Sequence, residues 1–204
     1  MTMECATDST RISPAERDGA RPIFLVGMMG VGKTTIGRQL AAALGREFVD
    51  LDHAIEARCG VRIATIFDIE GEAGFRRRET AALDEYTRRP GLVVATGGGA
   101  VLAEENRRML SERGCVVYLR AGADELYRRV ARDRNRPLLR TDDPRQRIAD
   151  LLAQREPLYE SVAEVTLDTG EQPVAQVLRS LLPLLPARPS VQAHTPPVQV
   201  HTTQ

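Results

Sequence analysis

Gly27-Met28-Met29-Gly30-Val31-Gly32-Lys33-Thr34 fits the spacing GxxxxGK[ST] without a mismatch. Glycines at these positions let the backbone wrap tightly enough to aim N–H groups at phosphate oxygens. A helix beginning at Lys33 adds its partial positive end. Lys33 is the one lysine among 28 basic residues; the other 27 are arginines. A slim ammonium on a flexible stem suits a narrow phosphate cradle, where a planar guanidinium is too wide. Thr34 offers a hydroxyl to Mg²⁺, and Thr35 extends the helix. Gly30, Val31, Gly32, Lys33, Thr34 and Thr35 are therefore candidates for holding a nucleoside triphosphate with Mg²⁺. A flexible glycine turn with an accidental lysine would not call for the apolar strand before it and the helix after it. The loop alone does not separate a kinase from an ATPase motor or a GTPase switch.

Other residues carry the chemistry further. Asp50 and Asp52, in "FVDLDHAIE", stand two apart at the end of an apolar run, where strand geometry would point both the same way. Two carboxylates beside a phosphate loop can hold a metal's water shell and accept hydrogen bonds from an acceptor's hydroxyls. The plainer alternative makes Asp52 a helix N-cap. Arg76, Arg77 and Arg78 are consecutive and followed by Glu79. Helical geometry sends them to different faces, so at most one serves a site, held there by a carboxylate. Gly97, Gly98 and Gly99 follow a buried run and allow close approach of backbone to a ligand. Arg136 lies in the charged, proline-containing stretch "RDRNRPLLRTDDP", which reads as a flap able to fold over a terminal phosphate. Arg155 lies in a helix that Pro157 is expected to end or kink. The plain alternative for both arginines is a solvated surface.

The elements that position these groups alternate. Apolar runs at Ile23–Val26, Glu47–Asp50, Leu92–Ala95, Val116–Leu119 and Val165–Leu167 are separated by helical patterns. One helical face is expected to carry Ile36, Leu40, Ala43 and Leu44; further faces carry Ala123, Leu126, Tyr127 and Val130, then Ile148, Leu151 and Leu152. The last carries Val174, Val177, Leu178 and Leu181 and stops near Pro183. Alternation predicts an α/β fold, a parallel sheet covered on both faces, with ligands beyond the C-terminal strand ends. Residues 52–89 are too long for one helix and are expected to hold two or three. Residues 1–20 and 186–204 read as disordered tails around one domain at 21–185.

Bulk properties exclude several classes. The 204 residues carry zero net charge, so no global field favours nucleic acid or an anionic membrane. No apolar run reaches the length of a membrane span, and the N-terminal stretch does not read as a signal peptide. Cys5, Cys59 and Cys115 are far apart and odd in number, which fits a reducing compartment rather than a disulfide scaffold.

Taken together, GMMGVGKTT, DLD, GFRRRE, ATGGGAV, RNRPLL and REPLYE, in this order and spacing, resemble the shikimate kinase family over about residues 23–182. The resemblance implies a three-layer P-loop NTPase fold with a five-stranded parallel sheet, a helical acceptor-binding insertion at about 52–80 and a mobile lid at about 132–144. It implies ATP-dependent phosphorylation of the 3-hydroxyl of shikimate; separately, the cysteine usage points to the cytoplasm, and a monomer is expected. Carried over by position, Asp52, Arg76, Gly98, Gly99 and Arg155, with Gly97 beside them, would hold shikimate. Thr34 would ligate Mg²⁺ and Asp50 would reach it through water. Lys33, Asp52 and Arg136 would be catalytic, Arg136 as the lid arginine, and Arg129 and Pro173 would flank adenine. Two rivals remain: a gluconate- or adenylate-kinase-like activity on the same scaffold, and a nucleotide-gated binding protein without turnover.

Overall fold

A computed structural model describes residues 21–131, 141–170 and 172–186. Both expected tails, apart from Pro186, lie outside the described residues, as does most of the expected lid, including Arg136.

Five strands form one sheet: β1 (Ile23–Val26), β2 (Glu47–Asp50), β3 (Leu92–Ala95), β4 (Cys115–Arg120) and β5 (Val165–Asp168). They pair in parallel in the order β2-β3-β1-β4-β5. Every residue of β1 and β3, and all of β4 except Arg120, is buried. Successive strand residues face opposite sides, so both faces of the sheet centre must be covered. The less apolar sequences EFVD and VTLD form the partly exposed edges.

Among the described residues seven helices follow in chain order: α1 (Lys33–Leu44), α2 (Leu51–Cys59), α3 (Ile63–Thr87), α4 (Glu104–Arg113), α5 (Ala123–Val130), α6 (Pro144–Val162) and α7 (Val174–Leu181), with 3-10 turns at Ala100–Leu102 and Leu182–Leu184. The expected faces of α5, α6 and α7 are inward, with Leu126, Val130, Ile148, Leu151, Val177, Leu178 and Leu181 buried. The face of α1 is rotated from its expected position. Gly37 and Ala41 are buried beside Ile36 and Leu40, whereas Ala43 is exposed. The shift follows from Gly37, where a Cβ would stand 2.4 Å from Phe48 Cε2, so that face packs closely on β2.

The stretch between β2 and β3 holds α2 and α3, and α3 is broken at Gly71 (φ 68°, ψ −179°), so three helical runs result. That conformation is open only to glycine. Of the two expected outcomes, Pro157 does not end α6; the helix continues to Val162. Proline removes the donor to the carbonyl four residues earlier. Here that carbonyl belongs to Ala153, and both residues are exposed, so water can take the donor's place.

Candidate active site

The phosphate loop links β1 to α1. Gly32, at φ 102°, is the residue before α1, and Lys33 is its first residue. Lys33 Nζ donates to the carbonyls of Gly27 (2.8 Å) and Met28 (2.9 Å), so the ammonium lies over the loop. Gly30 admits no side chain: its Cβ would stand 2.4 Å from Val130 Cγ1. Val31 is buried and Thr35 is exposed on the first turn of α1. Arg129 of α5 braces the same loop. Its Nη1 donates to the Val31 carbonyl (3.2 Å), its Nη2 to Gly170 beyond β5, and its Nε to Glu125 (2.8 Å). Pro173 stands immediately before α7, three residues past Gly170.

Thr34 Oγ1 donates to Asp50 Oδ2 at 2.7 Å, which joins the loop to the end of β2. The other oxygen of Asp50 accepts from the N–H groups of Asp52 (3.1 Å) and His53 (3.4 Å). Asp50, not Asp52, is therefore the N-cap of α2, which corrects the capping alternative. The strand-spacing argument also needs correction, since β2 stops at Asp50 and Asp52 lies in the first turn of α2. Both still line one cavity because the helix begins where the strand stops.

That cavity has a volume of about 570 Å³ and lies beyond the C-terminal ends of β2 and β3. Thr34, Asp50, Asp52, Arg76, Glu79, Gly97, Gly98, Gly99 and Arg155 border it, with Phe67, Phe75 and Ile63 as an apolar wall. The rings of Phe67 and Phe75 lie 4.9 Å apart. Of the three consecutive arginines, Arg76 alone reaches the cavity; Arg77 is exposed and Arg78 pairs with Glu70.

Arg76 is gripped by two carboxylates, Nη1 to Glu79 Oε2 at 2.6 Å and Nη2 to Glu72 Oε1 at 2.9 Å. Burial works to lower its pKa, but Glu79 and Glu72 prevail and raise it. Glu79 is 0% exposed, and its Oε1 has no hydrogen-bond partner. Burial pushes its carboxyl up; Arg76 opposes this and nearby Asp52 adds to it. Arg155, 3% exposed, differs: among the described residues no carboxylate lies within ion-pair distance of it. Its Nη1 donates to the Gly98 carbonyl at 3.3 Å, and its Nε is buried without a partner.

Two of the three glycines make room for side chains, while Gly98 lies against the backbone of the phosphate loop at Met29 and Gly27. A Cβ on Gly97 would lie 2.3 Å from Glu79 Oε1, and one on Gly99 would lie 2.3 Å from Arg76 Nη2. Backbone approach here is thus first to the charged groups of α3. Sequence reasoning assigned no site role to Glu79, the aromatic wall or Tyr159. Signals existed for two of them: Glu79 is three residues from Arg76 and Tyr159 four from Arg155, the separations that share a helical face.

The shikimate kinase family model matches residues 29–186. The shikimate kinase of Bordetella avium is 66% identical over 166 residues, 81% of this chain and 79% of that protein. The solved structure of shikimate kinase from Acinetobacter baumannii in complex with shikimate superposes with a TM-score of 0.80 at 48% identity, covering 82% of this chain and 93% of that one. A gluconokinase from Sinorhizobium meliloti shares the fold alone, with 18% identity and a TM-score of 0.55 over 81% of this chain and 91% of that one.

Proposed function

The chain belongs to the shikimate kinase family, and we propose that the residues around this cavity transfer the terminal phosphoryl group of ATP to the 3-hydroxyl of shikimate, giving 3-phosphoshikimate and ADP. The observation that carries the assignment is Arg155, a buried guanidinium facing the cavity with no carboxylate in ion-pair distance among the described residues. A buried charge without a close counter-ion is costly, and an acceptor bearing a carboxylate supplies an anion at hydrogen-bonding distance. Arg76 and Arg155 hold that carboxylate, and the glycines at 97–99 form the floor beneath it. Asp52, beside Thr34 and Asp50, accepts a hydrogen bond from the acceptor's hydroxyl and aligns its oxygen for attack.

Lys33 and the amides of the phosphate loop receive the β- and γ-phosphates, and Arg129 and Pro173 flank the adenine. Mg²⁺ fits the donors present. Thr34 Oγ1 and Asp50 Oδ2 are hard oxygens 2.7 Å apart beside the loop, and Mg²⁺ takes few protein ligands and keeps its waters. Thr34 would bind it directly and Asp50 through water; the ion would neutralise phosphate charge. The loose transition state of phosphoryl transfer asks for alignment and charge neutralisation more than for a strong base. Arg136 supplies further positive charge from the lid.

A monomer in the cytoplasm is the expected working unit, since the described chain alone lines the cavity. Among the described residues no helix is long and apolar enough to cross a membrane. The assay compares shikimate, gluconate and AMP as acceptors with Mg²⁺ and ATP, reading ADP release. Release with shikimate alone is expected. Release with gluconate or AMP instead, or ATP binding without release, would replace this assignment.

A further inference from the structure

Tyr159 lies on α6 one turn past Arg155 and is fully buried. Its ring stacks on Tyr118 of β4, with centroids 5.1 Å apart. Its hydroxyl donates to the Gly98 carbonyl at 2.5 Å, the oxygen that also accepts from Arg155 Nη1. The same hydroxyl stands 3.6 Å from Met28 Sδ, in the phosphate loop. One phenol thus touches the glycine loop, the nucleotide loop and the acceptor-facing helix.

Burial pushes the Tyr159 phenol up to about 12, against the opposing charge of Arg155 nearby. The group is therefore neutral near pH 7 and works as a fixed donor and acceptor rather than a proton carrier. Arg155 needs such a partner. Arg76 has two carboxylates to orient it, whereas Arg155 has a 3.3 Å bond to Gly98 and an orphaned Nε. What fixes the Gly98 carbonyl also fixes the direction of this guanidinium.

We propose that the Tyr159 hydroxyl is a positioning group for the acceptor: by holding the Gly98 carbonyl and Arg155 in one arrangement, it sets where the acceptor's carboxylate is gripped relative to the phosphate loop. The inference rests on the shikimate kinase assignment and extends it to a residue placed behind the acceptor site.

The test uses the full chain and Tyr159→Phe, which keeps the stacked ring and removes only the hydroxyl. Tyr118→Phe is the control. It also removes a buried hydroxyl, but one that donates to Glu156 (3.4 Å) away from Gly98. In Tyr159→Phe the KM for shikimate should rise about tenfold, with kcat within about threefold and the KM for ATP within about twofold. Tyr118→Phe should leave all three unchanged. Added to Arg155→Ala, the Tyr159 substitution should cause no further loss of kcat/KM, because its effect passes through that guanidinium. An unchanged KM in Tyr159→Phe, equal rises in both phenylalanine variants, additive losses in the double variant, or loss of cooperative folding would each overturn the proposal. A wild-type chain that releases no ADP with shikimate would instead overturn the assignment beneath it.

Discussion

Arg76 and Arg155 face one cavity, yet the fold treats them in opposite ways. Arg76 rides on α3, within the helical insertion between β2 and β3, and is held by Glu72 and Glu79. Arg155 rises from α6, is nearly inaccessible, and has no carboxylate partner among the described residues. The first is a charge neutralised before any ligand arrives. The second feels Glu79 only through space, and a ligand's carboxylate would be its close partner. An anion at this site therefore gains most from Arg155, whereas Arg76 serves the integrity of its helix as much as binding.

The largest test of this contrast is Arg155→Ala. It should lower kcat/KM for shikimate by about a thousandfold, the scale of a buried charge pair, while stability falls by less than about 1 kcal/mol because no carboxylate is orphaned. A large loss of stability with little loss of acceptor affinity would erase the distinction. Arg76→Ala should show the reverse emphasis. Denaturant titration should report about 3 kcal/mol lost, since Glu79 is left buried without its cation. Adding Glu79→Gln should restore more than half of it.

A subtler perturbation is Gly99→Ala, whose Cβ would stand 2.3 Å from Arg76 Nη2. Displacing that guanidinium should raise the KM for shikimate about tenfold and leave the KM for ATP unchanged. The smallest effect is on pH dependence. The Glu79 carboxyl is raised above its ordinary 4.5, chiefly by burial. In the window between that value and the raised one, the folded chain keeps a proton that the unfolded chain has released. Its contribution to stability therefore falls as pH rises through the window, by at most about 1.4 kcal/mol per pH unit. Glu79→Gln should flatten that slope when unfolding midpoints are compared across pH.

Local order was readable wherever one segment determines the outcome. The phosphate loop, the strands and the limit of one site arginine among three follow from spacing and periodicity; that the one is Arg76 came from the family resemblance. The misreadings lie where segments meet. Asp52 was expected on a strand because DLD has period-two spacing; the chain turns into α2 at Leu51, and Asp50 takes the cap. At Gly97 and Gly99 no reading was overturned, but the neighbours that would meet a Cβ come chiefly from α3, some twenty residues earlier in the chain, which no single segment reveals. Pro157 was expected to end or kink its helix; on the solvent side of α6 the Ala153 carbonyl it leaves without a donor is open to water, and the helix runs on.

The solitary lysine has a practical consequence. An acylating reagent finds a single side-chain amine in this sequence, and it sits over the carbonyls of Gly27 and Met28. Covalent tagging of the chain at lysine is thus a report from the phosphate cradle alone, so occupancy by nucleotide becomes visible as a change in the mass of one peptide.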